Sequence, residues 1–334
     1  MKKFLPVFLI LIFLTSCKAA KTSDSFSAMN TFMTVSVYAP SKKGKVLCKK
    51  IHSRIDELEA VLSTTLLESD VHKLNNKKQL DFPVNKDLLT LLDFSREINK
   101  QTFGAFNPAL YPVIREWGFT TGNYKIPDSS WLETLLANTD FSKIIFDENK
   151  VLLEPGMELD FGAVGKGYAC DQAIEILKSN GVQSALLYFG GNIQTLGTKP
   201  DGSLWRVGIK NPWNNDSAVS LKVESKAVVT SGGYERFFEL DGKRYIHIFD
   251  PKTGRPSQSD LESVTIVCES GTYADALSTA LFVMGKEKAV EWWKTHQNFD
   301  FVLLTKERAL VYSCGLEKII EPLIDFSYIE RIDF

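Results

Sequence analysis

The hydrophobic pattern changes period several times along the chain. After an apolar run from Phe4 to Leu14, Met33, Val35 and Val37 alternate with Thr34, Ser36 and Tyr38, the two-residue period of a strand beginning near Ala28. From about Lys45 to Leu62 the apolar positions Val46, Ile51, Ile55, Leu58 and Val61 recur at helical spacing. Residues 63–76 read as a loop entering a short helical turn, 85–101 as a helix, and 120–140 as an inserted loop and helix. A strand over 142–153 and a helix over 167–180 follow. Strands are then predicted over 183–189, 205–210, 219–223, 227–230 and 262–268, with a hairpin at Asp241-Gly242. The stretch from Thr272 to Gly285 reads as a helix, with Leu277, Leu281 and Met284 at i, i+4 and i+7 and Gly285 as its stop. Thr272 and Asp275 have the spacing of a capping box, which puts the helix start at Thr272. This order of elements predicts an α+β fold of mixed, mostly antiparallel sheets packed against helices, in a single domain over 28–334.

The first residues follow another logic. Lys2 and Lys3 precede an apolar run too short to span a bilayer, the layout of a secretory signal over residues 1–16. It ends in Leu14-Thr15-Ser16-Cys17, which resembles a bacterial lipobox. Cys17 is then the lipidated first residue, and the small polar residues to Ser27 form a tether over 17–27. The chain is expected to be exported and anchored to the periplasmic side of the bacterial inner membrane. Composition adds exclusions: a formal charge of −2 with no basic patch argues against nucleic acid. Cys48, Cys170, Cys268 and Cys314 form no Cys-x-x-Cys pair, so they are expected as buried free thiols rather than zinc ligands.

The candidate chemistry gathers in a few stretches. Asp275 and Thr279, four apart on one helix, project from the same face and can offer two oxygens to a hard cation. The plainer alternative is a capped helix with Thr279 bonded back to its own backbone. Gly162, Gly165 and Gly167 surround Lys166 at a helix mouth, offering free N–H groups and an ammonium to a phosphate. The spacing is neither Gly-x-x-x-x-Gly-Lys-Ser/Thr nor Gly-x-Gly-x-x-Gly, and glycines there also serve close helix packing. His247 sits in an apolar stretch, Arg244 to Phe249, that reads as a strand, where a lone histidine is usually a satisfied core residue. Thr102 to Pro108 and Trp117-Gly118-Phe119 cluster glycine, proline and aromatics, either to approach something flat or to wedge into the core.

Taken together and in this order, Asp160 to Asp171, Thr230 to Phe237, His247 to Gly254 and Ala274 to Gly285 resemble the ApbE family of FAD:protein FMN transferases, over about Ala28 to Val311. The resemblance implies an ApbE-like, T-fold-like architecture and a Mg²⁺-dependent, often lipid-anchored enzyme. Such an enzyme cleaves FAD and attaches FMN by a phosphoester to a threonine of a partner flavoprotein, releasing AMP. Partners of this kind include subunits of sodium-pumping NADH:quinone reductase and Rnf-type complexes. It also implies metal ligands at Ala163 (by its carbonyl), Asp275 and Thr279. FAD contacts are implied at Met29, Ala105, Phe106, Asn107, Asp160, Lys166 and Ile248, and polar site walls at Glu235 and His247. Asp275 or His247 would take the proton of the attacking hydroxyl.

Three positions depart from the family pattern. Asn30 stands for glycine in Met-Gly-Thr, Asn107 for aspartate in Phe-Asp-Pro, and Thr65 for a tyrosine that would stack on the nucleotide. The loss at Thr65 leaves room for water, so Mg²⁺-dependent hydrolysis of FAD to FMN and AMP is the alternative activity. A non-catalytic flavin-binding lipoprotein is the alternative of another class.

Overall fold

A computed structural model of the chain describes residues 20–81, 84–214 and 216–334. The expected signal segment 1–16 and Cys17 lie outside the described residues. The described chain opens with β1 (Ala20–Ala28), paired antiparallel with β2 (Thr31–Ala39). Met29 and Asn30 turn the chain between them with φ of 50° and 57°, the left-handed pair that matches the twist of a tight hairpin. Asparagine tolerates this region, so the turn does not require a glycine at position 30. Residues 20–27 are therefore a strand and not a tether. Their polar composition hid it: Ser23 and Ser25 bond the hydroxyls of Ser36 and Thr34 across the hairpin, both at 3.0 Å, while Phe26 and Ala28 on the other face are buried.

Next come α1 (Ser41–Leu62), α2 (Asp70–Lys77), β3 (Gln79–Asp81), α3 (Lys86–Gln101), α4 (Tyr111–Glu116) and α5 (Ser129–Leu136). On α1 the buried stripe is Leu47, Ile51, Ile55 and Leu58. Val46, expected with them, is one residue out of phase and 59% exposed. The strand expected over 142–153 is instead a hairpin of β4 (Ile145–Asp147) and β5 (Lys150–Leu152). Asp147 Oδ1 folds it by accepting from the N–H of Asn149 (2.8 Å) and Lys150 (3.1 Å).

The second half contains α6 (Gly165–Ser179), β6 (Ala185–Phe189), β7 (Asn192–Leu196), β8 (Trp205–Lys210), β9 (Ser217–Val223) and β10 (Ala227–Gly232). It continues with β11 (Phe237–Leu240), β12 (Lys243–Ile246), β13 (Phe249–Asp250), β14 (Arg255–Pro256), β15 (Leu261–Cys268), α7 (Gly271–Met284) and α8 (Lys286–Thr295). The last elements are β16 (Asp300–Thr305), β17 (Leu310–Ser313), β18 (Ile320–Pro322) and β19 (Ile329–Ile332).

Nine strands form the main sheet in the order β1-β2-β6-β7-β10-β15-β16-β17-β19, antiparallel except for the β17–β19 pair. The expected α+β architecture is what the chain adopts. Both sheet faces are buried in the middle, and the side-chain alternation sorts residues between two cores. Val229, Ile266, Leu303 and Phe301 face the helices, whereas Val228, Val267, Val302 and Leu304 face a small sheet of order β18-β9-β8. That second layer presents Trp205, Val207 and Ile209 inward and leaves Arg206 and Lys210 outside. A third cluster joins Trp117 and Phe119 to Phe249, with Phe238 and Tyr245 against it, and Trp117 Nε1 donates to Gly254 O at 2.9 Å. The aromatics at 117 and 119 are thus core. Cys48, Cys170, Cys268 and Cys314 are free, the first three buried. No helix among the described residues is long and apolar enough to cross a membrane.

Candidate functional site

The site is built where the first turns of α6 and α7 touch. A Cβ on Gly167 would lie 2.1 Å from Gly271 O and 2.7 Å from the Asp275 Cβ, so only glycine permits this crossing. Contact this close lets the Gly167 N–H donate to Asp275 Oδ2 at 2.9 Å. The positive end of α6 therefore faces a carboxylate that is 3% exposed. Gly167 thus serves helix packing, while Gly162 stays exposed on the preceding turn.

α7 begins at Gly271, with Ser270 as its cap: Ser270 Oγ accepts from the Tyr273 N–H at 3.2 Å. The expected capping box of Thr272 and Asp275 does not form. The Thr272 hydroxyl turns to Asp171 on α6 instead, and the Asp275 carboxylate accepts from the Gly167 N–H.

Lys166 joins the two sides of the site. Its Nζ lies 4.0 Å from Asp275 Oδ1 and donates to Gly162 O at 3.2 Å. Asp160 faces the same turn, with Oδ1 accepting from the Gly162 N–H at 2.8 Å. Loss of water pushes the Asp160 carboxyl above the usual carboxylate range, opposed by that N–H and by the charges of Lys166 and Arg236. The same two cations reach His247. Its imidazole is pushed down to about 4, first by burial and then by Arg236, with Lys166 adding to the effect.

His247 lies in a bend between β12 and β13 rather than in a strand. Its Nδ1 is 3.1 Å from Arg236 O. A carbonyl only accepts, so Nδ1 carries the proton and Nε2 keeps its lone pair. Arg236 is held in turn by donating to Phe119 O at 2.7 Å, which ties the site to the aromatic cluster. Arg236 carries no sequence signal of its own beyond standing beside Glu235 inside a motif stretch. Glu235 itself is exposed, 3.5 Å from Lys210 Nζ.

Thr279 is half-buried one turn after Asp275, and its hydroxyl meets Ser231 Oγ of β10 at 3.2 Å. Ser278, and not Thr279, bonds back to the helix, donating to Asp275 O at 2.9 Å. Ala163 is half-buried on the turn between Gly162 and α6. One carboxylate, one hydroxyl and a main-chain carbonyl are the donor chemistry of a hard cation that completes its shell with phosphate and water. Among the described residues no group of three or more His, Cys, Asp and Glu side chains could hold a metal ion.

The remaining candidates ring this centre unevenly. The Asp160 N–H donates to Pro108 O at 2.9 Å, which joins the Ala105–Asn107 loop to the site. Phe106 is 1% exposed and Ile248 4%, so their side chains belong to the core and only their main chain can meet a nucleotide. Asn107 donates through Nδ2 to Thr139 O (2.9 Å) and accepts at Oδ1 from the Ala109 N–H (3.0 Å). The Met29 N–H is bound by Glu59 Oε1 at 2.9 Å, in the strained left-handed turn after β1. Thr65 is exposed on the turn beyond α1, its hydroxyl 3.3 Å from Ser63 Oγ.

A model of the ApbE family matches residues 29–303. The chain is 32% identical over 285 residues to a protein named FAD:protein FMN transferase from Klebsiella pneumoniae (strain 342), covering 84% of this chain and 88% of the relative. It is also 32% identical over 309 residues to one of the same name from Treponema pallidum (strain Nichols), covering 86% and 85%. Among solved structures, the ApbE protein of Thermotoga maritima superposes with a TM-score of 0.81 at 30% identity, covering 91% of this chain and 97% of that one. The flavinyl transferase ApbE of Pseudomonas stutzeri in its apo form gives 0.77 at 29%, covering 87% and 92%.

Proposed function

The chain belongs to the ApbE family and is a transferase, an FAD:protein FMN transferase, and from that premise we propose how its cleft works and what it needs. The acceptor threonine oxygen attacks the FMN-side phosphorus of FAD. One P–O bond forms, the anhydride P–O bond breaks, and AMP leaves. The reaction asks mainly for positioning and charge stabilisation. Lys166, with Asp275 Oδ1 at 4.0 Å and no other carboxylate within ion-pair distance among the described residues, is placed to take a phosphate oxygen.

The proton of the attacking hydroxyl goes to His247 Nε2. This nitrogen is unprotonated because Nδ1–H is spent on Arg236 O, and the ring is neutral at ordinary pH. Asp275 is the poorer base, since Oδ2 already accepts from Gly167 and Oδ1 faces Lys166. That contrast is the observation that carries the mechanism. Asp275, Thr279 and the Ala163 carbonyl would hold Mg²⁺. When bound, the ion neutralises charge on the diphosphate.

Incubation with FAD, Mg²⁺ and an acceptor domain bearing the target threonine tests this reading by in-gel flavin fluorescence. A covalent fluorescent band is expected, and Asp275→Ala should abolish it. Absence of the band with the wild-type chain would count against transfer to that acceptor. The acceptors we propose are flavoprotein subunits of sodium-pumping NADH:quinone reductase or Rnf-type complexes. They would be met on the periplasmic side of the inner membrane by an enzyme lipidated at Cys17. Hydrolysis of FAD is the second reading, favoured by the small, exposed Thr65; AMP release without acceptor separates it from transfer.

A further inference from the structure

Three hydroxyls and one carbonyl form a continuous chain from α7 to β10, and their protons can be assigned. Asp275 O only accepts, so Ser278 Oγ, 2.9 Å away, must donate to it. Ser278 has then spent its single proton. The contact of 2.8 Å between Ser278 and Ser231 must be donated by Ser231. Ser231 has no proton left for Thr279, so the contact of 3.2 Å between them is donated by Thr279. The Thr279 hydrogen points away from the cleft, and its lone pairs remain for whatever enters.

We propose that Ser231 is a positioning residue that fixes Thr279 as a lone-pair donor facing the cleft, and that Ser278 sets the direction of the whole relay. The proposal rests on the reading of Thr279 as a cation ligand and deepens it. A free threonine hydroxyl in a helix commonly bonds back to its own backbone, which turns its proton and not its lone pairs to suit the helix. Here Ser278 occupies Asp275 O, and Ser231 collects the Thr279 proton from the neighbouring strand. Ser278 is fully buried, and the Ser231 hydroxyl is engaged with both Ser278 and Thr279. An arrangement behind a ligand that sets its orientation is typically worth about 10–100-fold in metal affinity.

The test is Mn²⁺ affinity of the full chain in detergent, read from the electron paramagnetic resonance signal of free Mn²⁺ with no FAD present. Ser231→Ala should weaken Mn²⁺ binding by about tenfold or more, and Ser231→Thr, which keeps the acceptor oxygen, should restore it. Ser278→Ala should weaken it too, because Ser231 would then donate to Thr279 and turn the Thr279 proton into the cleft. Combining Ser231→Ala with Thr279→Ala should cost no more than Thr279→Ala alone. Thermal melting of each variant reports folding separately, so Ser278→Ala and Ser231→Ala check one another. If Ser231→Ala and Ser278→Ala, both folded, bind as the wild type while Thr279→Ala is impaired, the relay is wrong and the ligand stands. If Thr279→Ala binds Mn²⁺ as the wild type, the ligand assignment fails and the relay with it.

Discussion

The Asp171 carboxylate on α6 accepts both the backbone N–H (2.9 Å) and the hydroxyl (2.6 Å) of Thr272, in the first turn of α7. It also takes the Gly271 N–H at 2.7 Å, the Ser270 hydroxyl at 2.8 Å and Gln194 Nε2 at 2.8 Å. A negative group at a helix start satisfies N–H groups that have no partner within the helix and complements the helix dipole. Because Asp275 follows Gly271 by one turn, this grip also fixes the carboxylate that faces Lys166.

Asp171→Asn tests that grip. The amide would turn an NH₂ toward groups that are themselves donors, and it removes the charge behind five hydrogen bonds. Hydrogen bonds to charged groups are worth about 1.5–3 kcal/mol each and are not additive, so a loss on the order of 3 kcal/mol is expected in urea unfolding. Flavin transfer should fall as well, measured at a temperature where the variant is folded. Unchanged stability would show that α7 holds its own start.

The sequence disclosed the long elements and not their contacts. α3 was expected over 85–101 and runs Lys86–Gln101, capped by Asn85; β15 was expected over 262–268 and runs Leu261–Cys268. Periodicity and stop signals lie within such segments and suffice for them. Ser270 against Thr272 as the cap of α7 could not be decided locally, because the deciding group is Asp171, 101 residues from Thr272 along the chain. Ser231 is visible in sequence only as a polar residue before a glycine pair. Its partners sit on α7, which nothing near β10 encodes. β1 resembles a linker because serines at 23, 25 and 27 with a single large apolar residue, Phe26, carry no strand signal until a partner strand satisfies the hydroxyls.

His247 predicts a pH response. Its folded value of about 4 lies below the ordinary 6.5. With His247 as the proposed base, kcat/KM should stay level across the neutral range, where the imidazole is unprotonated, and fall only as pH drops toward 4. The stability that the neutral imidazole contributes is fully present above the ordinary value and is lost as pH falls through about 4, since the unfolded chain takes up the proton first. Anionic phosphates beside the imidazole would raise the value, so the kcat profile should break at higher pH than that of kcat/KM. His247→Gln should reduce transfer by about 10²–10⁴-fold with FAD affinity little changed. A break near neutrality in kcat/KM that survives His247→Gln would assign the base elsewhere.

Asn107 uses both ends of its amide. Nδ2 donates to Thr139 O, which no carboxylate can do, and Oδ1 accepts from Ala109. Asn107→Asp would set an anionic oxygen against a carbonyl oxygen in a half-buried loop. A loss of about 1–3 kcal/mol is expected in chemical denaturation. An equal or higher midpoint would mean that Thr139 finds another donor and that the charge is tolerated.

On the hydrolysis reading proposed above, Thr65 would set how well water is kept from the diphosphate. It is exposed; its hydroxyl lies 3.3 Å from Ser63 Oγ, which also accepts from the Thr65 N–H at 3.2 Å. Leu62, the last residue of α1, approaches to 3.9 Å from the point where a Cβ on Gly165 would stand, so the turn carrying Thr65 borders the mouth of α6. A tyrosine here would offer an aromatic face to the nucleotide, worth about 1 kcal/mol beyond buried area or roughly fivefold in affinity. Thr65→Tyr should therefore lower the apparent KM for FAD and slow AMP release in the absence of acceptor, while covalent flavin on an acceptor domain is kept or increased. Chromatographic assay of AMP beside in-gel fluorescence measures both branches in one sample. AMP release that is the same with threonine and tyrosine would show that water reaches the phosphorus by another route, and that residue 65 does not set the balance between hydrolysis and transfer.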